Sequence, residues 1–94
     1  MANSILQDKK ECYFCEVTQS LECHHIFKGA NRKISEQQGF KVWLCHNCHT
    51  GTDGVHGKNG HNKDMHLKKI AQENYEDLGH STEQFRQLIG KSYL

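Results

Sequence analysis

A chain of 94 residues, 35% of them hydrophobic, has material for one domain with a modest core. A domain of that size buries roughly 60–65% of the surface its unfolded chain exposes, so a bound metal, disulfides or a partner commonly completes it. The net charge of +1 excludes a global basic field of the kind many nucleic-acid binders carry, and no run approaches the ~18 apolar residues of a membrane span.

Residues 1–11 are polar and without period, and read as a loose N-terminal arm ahead of a single domain over 12–94. Leu21 to Phe27 and Phe40 to Leu44 carry strand-favouring residues and are expected to pair. The connection between them is too long for a tight hairpin, and Ser35 with Glu36 starts a helical turn inside it. After Cys48 a glycine-rich stretch over 51–60 reads as a loop. Asn62 is then positioned to cap a helix whose buried face is Leu67, Ile70, Ala71, Asn74, Tyr75 and Leu78, ending at Gly79. Ser81 and Gln84 form a capping-box pattern for a last helix carrying Phe85, Leu88 and Ile89, with Gly90 as its stop. The expected architecture is α+β, with zinc knuckles and paired strands over 12–60 and a helical part over 61–94.

Five cysteines and eight histidines are the outstanding feature of the composition. Cys12-x-x-Cys15 and Cys45-x-x-Cys48 each place two thiolates on a tight knuckle, and two such knuckles make the tetrahedral sulfur cage that Zn²⁺ prefers. Four thiolates leave no open position, so that zinc is structural. The odd cysteine count argues against a disulfide framework, and no charged-then-apolar leader precedes the knuckles; a reducing cytoplasm is the expected compartment. Cys23 has no partner at knuckle spacing and is expected to be a small buried residue on its strand. The 29 residues between the knuckles hold His24 and His25, and His49 directly follows the last cysteine. Glu36 is the only acid between Cys23 and Cys48, among Lys28, Arg32, Lys33 and Lys41, so a local basic loop able to contact phosphates is expected.

Cys-x-x-Cys, then Glu22-Cys23-His24-His25-Ile26, then Leu44-Cys45-x-x-Cys48-His49 resembles the zinc-stapled HNH endonucleases, the ββα-metal or His-Me finger family, over residues 12 to about 60. The resemblance implies that His24 and His49 bind a catalytic divalent metal, Mg²⁺ or Mn²⁺, and that His25 is the general base. It further implies a DNA substrate, products with 5′-phosphate and 3′-hydroxyl ends, and often a phage or prophage origin. Two departures stand out. The family's middle asparagine, which braces the loop behind the base, is replaced by Phe40, with Asn31 as a candidate substitute. The glycine-rich insertion after His49 brings in His56 as candidate third ligand and His61 as the other choice, while His46, His61, His66 and His80 are each expected to face solvent unless they ligate.

The chemistry is consistent with that implication. Phosphodiester hydrolysis needs an activated water, a cation on the phosphate and positioning, and histidine accepts a proton near neutral pH. The competing reading is a non-catalytic zinc module that binds nucleic acid or protein. A zinc deaminase would need His-x-Glu ahead of Pro-Cys-x-x-Cys, whereas Glu22 precedes the histidines and the chain has no proline. One active site makes one nick, so double-strand cleavage needs a homodimer or two encounters of a monomer, and the sequence leaves both open.

Overall fold

The structure, a computed structural model, describes residues 4–94, and the first three residues of the arm lie outside it. The chain runs β1 (Leu21–His25), a short 3-10 turn (Gly29–Asn31), α1 (Arg32–Gln38), β2 (Lys41–Cys45), α2 (His46–Thr50), α3 (His61–Asp77) and α4 (Thr82–Ile89). It is a small α+β domain. Among the described residues no helix is long and apolar enough to cross a membrane.

The two strands pair antiparallel, with Leu21 opposite Cys45 and His25 opposite Lys41. Side chains alternate across a sheet, so this register sorts the residues into two faces. His24 shares one face with Val42 and Leu44, and all three are buried. Cys23 and His25 share the other with Trp43 and Lys41. Cys23 is exposed there, contrary to the expectation of a buried thiol, because the period of two turns it away from the core.

The connection between the strands is more regular than expected. The helix starts at Arg32 and Ser35 sits within it, fully buried. The Ser35 hydroxyl accepts from the Phe27 amide at 3.0 Å and donates to the Phe27 carbonyl at 2.9 Å, which fixes α1 against the end of β1. Gly39 closes the helix in the left-handed region, with φ of 78°, and its amide bonds the Ser35 carbonyl.

Nor is the arm loose where it is described. The Ile5 amide bonds the Gly39 carbonyl at 3.0 Å, and the Gln7 side chain accepts from the Trp43 amide at 2.9 Å. The Trp43 carbonyl accepts from the Tyr13 amide at 2.9 Å. The outer edge of β2, which would otherwise present unpaired backbone groups, is thereby covered.

α3 begins two residues earlier than expected, with Gly60 rather than Asn62 ahead of it and no side-chain cap. Gly60 lies so close to the Gly54 backbone that any Cβ would collide with it. The helix buries Leu67, Ala71, Gln72 and Tyr75, but Leu78, expected in the core, is 65% exposed because it lies past the last helical residue. Gln72, buried and polar, is satisfied by Glu76, Ser92 and the Tyr93 amide, and so ties down the C-terminal segment. The capping box of Ser81 and Gln84 is present, and Gly90 ends α4 at φ of 112°.

A cluster of aromatic rings, Phe27, Phe40, Tyr75 and Phe85, lies within the core. Phe40 is fully buried, its ring 5.4 Å from Phe27, 5.7 Å from Tyr75 and 6.0 Å from Phe85 between centroids. These mostly edge-to-face contacts join the hairpin to α3 and α4. Position 40 is therefore a packing position, which explains a phenylalanine there.

Candidate metal centres

Cys12 and Cys15 stand on a turn ahead of β1, while Cys45 ends β2 and Cys48 lies in α2. The Tyr13 amide's bond to β2 draws the first knuckle onto the second. All four sulfurs lie within 4.8 Å of one another, and those of Cys15 and Cys45 are 3.5 Å apart. A tetrahedron with Zn–S bonds of ~2.3 Å has edges of about 3.8 Å, so the cluster has the dimensions of a zinc cage.

The thiols titrate apart from one another. Burial raises Cys12, but backbone amides and the neighbouring thiol outweigh it and bring the group down to about 6. Burial and the adjacent sulfurs push Cys48 well up. Four sulfurs this close ionise together only around a cation, which is what the donor set fits.

A second cluster forms from three different segments. His24 comes from β1, His49 from the last turn of α2 and His56 from the glycine-rich loop. Their rings stand 5.2, 5.2 and 4.8 Å apart between centroids, and one ring nitrogen from each lies within 4.8 Å of the others. The loop reaches back because the Val55 and His56 amides bond the Cys48 and His49 carbonyls, each at 2.9 Å. Gly57 passes so near the Gly51 and Thr52 carbonyls that no side chain fits.

His24 is 1% exposed, and its Nε2 is buried without a hydrogen-bond partner. Burial, helped by the other imidazoles and Lys28, drives its pKa down to about 3, so the ring is neutral with a lone pair to give. An unpaired buried nitrogen is costly unless something occupies the cluster. The Nδ1–H of His49 donates to Glu22 Oε1 at 2.7 Å, which leaves Nε2 as the ligand atom. This bond, with a weaker one from His46, holds the Glu22 carboxyl below its usual range. The Lys28 ammonium donates to His56 Nδ1 at 2.6 Å on the exposed side. Burial and then Lys28 lower the pKa of His56.

His25 does not join this cluster. Its side chain leaves the opposite face of β1, where Nε2 meets Glu36 Oε1 at 3.2 Å and Glu36 also bonds Lys41. The two partners, Lys41 first, hold the Glu36 carboxyl low. Asn31, the candidate brace behind His25, instead donates to the Ile89 carbonyl at 3.0 Å; Ser35 pins that part of the chain. Of the basic residues, Arg32 and Lys33 are exposed on α1, Lys28 sits at the histidine cluster and Lys41 is buried against Glu36. His46, His61, His66 and His80 are exposed, with His61 outside the cluster.

Glu22, Ser35 and Glu36 are the positioning residues that sequence reasoning missed. Only Glu22 carried a signal, its place two residues before His24 on the same strand face. A scan against protein-family models found no match, and searches of curated proteins and of solved structures found none either.

Proposed function

We propose that the chain is a metal-dependent nuclease of the HNH, or ββα-metal, type, acting on the phosphodiester bonds of DNA. The observation that carries this reading is the buried, unpartnered Nε2 of His24 in a cluster of three imidazoles that is open on the Lys28 and His56 side. Three protein ligands with a free position is the donor count of catalytic rather than structural sites. Neutral imidazoles suit Zn²⁺, Mn²⁺ or a neighbouring transition metal better than Mg²⁺, which prefers oxygen ligands.

A divalent ion held by His24, His49 and His56 would supply positive charge for the phosphate and the departing oxygen. Lys28 holds the lone pair of His56 Nδ1 in the metal-free site; when His56 turns that lone pair to the ion, the ammonium is released at the rim and attracts the phosphate. With Nε2 engaged by Glu36, His25 has Nδ1 free to take the proton of the attacking water. As the water oxygen bonds to phosphorus, the bond to the 3′ oxygen breaks; that oxygen takes a proton from solvent and leaves a 5′-phosphate. Because His24 and His25 leave opposite faces of β1, the scissile phosphate has to lie across the strand edge not paired with β2.

That same divergence favours a second reading, a zinc-stapled module that binds without cutting. The deciding experiment is incubation of zinc-loaded protein with supercoiled plasmid and Mn²⁺, Zn²⁺ or Mg²⁺, beside His25→Ala. Nicking by the parent and a loss of about 10²–10⁴-fold in a folded mutant is expected. Absence of nicking with every cation would overturn the nuclease reading and leave the binding module.

A further inference from the structure

On the hairpin face turned away from the histidine cluster, the sheet, the arm and α1 enclose a groove of about 920 Å³. Its floor includes Trp43, half-buried and the only tryptophan of the chain. The arm contributes Lys9 and Lys10, α1 contributes Arg32, and the Lys10 ammonium lies 4.6 Å from the centre of the indole. The acids are Asp8 and Glu36, and Glu36 is already bonded to Lys41.

Four cationic side chains against two acidic ones leave the groove an excess of two positive charges, whereas the whole chain has an excess of one. The rest of the molecule is therefore net negative, and the positive charge missing from the global balance is gathered in this groove. An aromatic floor between cationic walls fits a polyanion that also offers flat rings. The volume suits a few nucleotides of a single strand. A duplex keeps its base faces stacked inside and cannot place one on a recessed indole.

We infer that this groove binds an unpaired stretch of nucleic acid, with phosphates on Lys9, Lys10 and Arg32 and one base stacked on Trp43 in place of the Lys10 ammonium. The inference rests on the nuclease reading only in naming the substrate class: His25 lines the same groove, so a strand held there passes the proposed base. The preferred substrate is then DNA with a single-stranded segment beside the cut.

The emission of the sole tryptophan reports on the groove. Full-length protein loaded with one zinc per chain, enough for the cysteine cage alone, is titrated at low salt with a twelve-residue oligothymidine and, separately, with a blunt hairpin duplex. Saturable quenching by the single strand, bound at least about tenfold tighter than the duplex, is expected. Lys10→Ala and Arg32→Ala should each weaken it and reduce the slope of log affinity against log salt by about one. Trp43→Leu, followed by anisotropy of a labelled strand and checked for zinc content, should lose affinity about tenfold. No saturable quenching, equal or tighter duplex binding, or folded Lys10 and Arg32 variants that bind like the parent would each overturn the inference. Because binding is read without cleavage, a protein that binds the strand and never cuts refutes only the nuclease reading. One that nicks duplex DNA with no response at Trp43 refutes only the groove.

Discussion

The cysteine cage and the histidine cluster share α2, which carries both Cys48 and His49, yet they are built on opposite principles. The cage takes two donors from each of two tight knuckles and closes on itself. The histidine cluster takes one donor from each of three segments and stays open toward Lys28. A closed four-donor site contributes folding free energy, while an open three-donor site holds an ion whose remaining positions are available for chemistry. The glycine-rich loop joins them, since it packs on α2 to deliver His56.

Damage to the cage should have the largest effect. Chelation of zinc, or Cys48→Ser, should unfold the domain, because structural zinc contributes on the order of 10 kcal/mol in small zinc domains. Circular dichroism during chelator titration reads this, and a fully folded zinc-free protein would remove the distinction between the sites. His56→Ala, by contrast, should leave the fold and one zinc per chain intact while abolishing occupancy of the second site, as measured by metal analysis.

Phe40→Asn, which installs the asparagine of the family pattern, should cost about 3–5 kcal/mol, as large-to-small core changes do, because it opens the aromatic cluster and buries an amide. Urea denaturation measures the loss; an unchanged midpoint would mean that position 40 is not a packing position. A smaller effect separates the two sites again. Glu22→Gln removes the charge that orients His49 and should weaken cation binding at the histidines about 10–100-fold without touching the cage, read by competitive titration with a metal indicator.

The smallest effect concerns pH. The Glu36 carboxyl is held below its unfolded value by Lys41 and then His25, so the stability it contributes is complete above about pH 4.5. That contribution is lost as pH falls through the lowered value. Thermal midpoints between pH 6 and 3 should therefore fall slightly less for Glu36→Gln than for the parent. Identical curves would show that the ion pair is energetically silent, as exposed pairs often are.

Features fixed by neighbours in the chain were readable from residue order. The two knuckles, the Ser81 and Gln84 capping box and the Gly90 stop each depend on residues within four positions of one another. The α+β class followed from the same local signals. His24 and His49 could be paired in advance through resemblance, but the third imidazole could only be narrowed to His56 or His61. The choice depends on a glycine loop folding back through contacts too close for a side chain.

Other assignments depended on which face of the sheet meets the core. That face exposes Cys23, sends His25 toward Glu36, and places Phe40 among aromatic rings from three other segments. Residue order sets which side chains alternate along a strand, but burial of one face depends on helices and an arm far away in the chain. The four cysteine donors and the ends of α4 were therefore written locally. The orientation of the two adjacent histidines, the covering of β2 by Gln7 and the gathering of charge around Trp43 came from long-range packing.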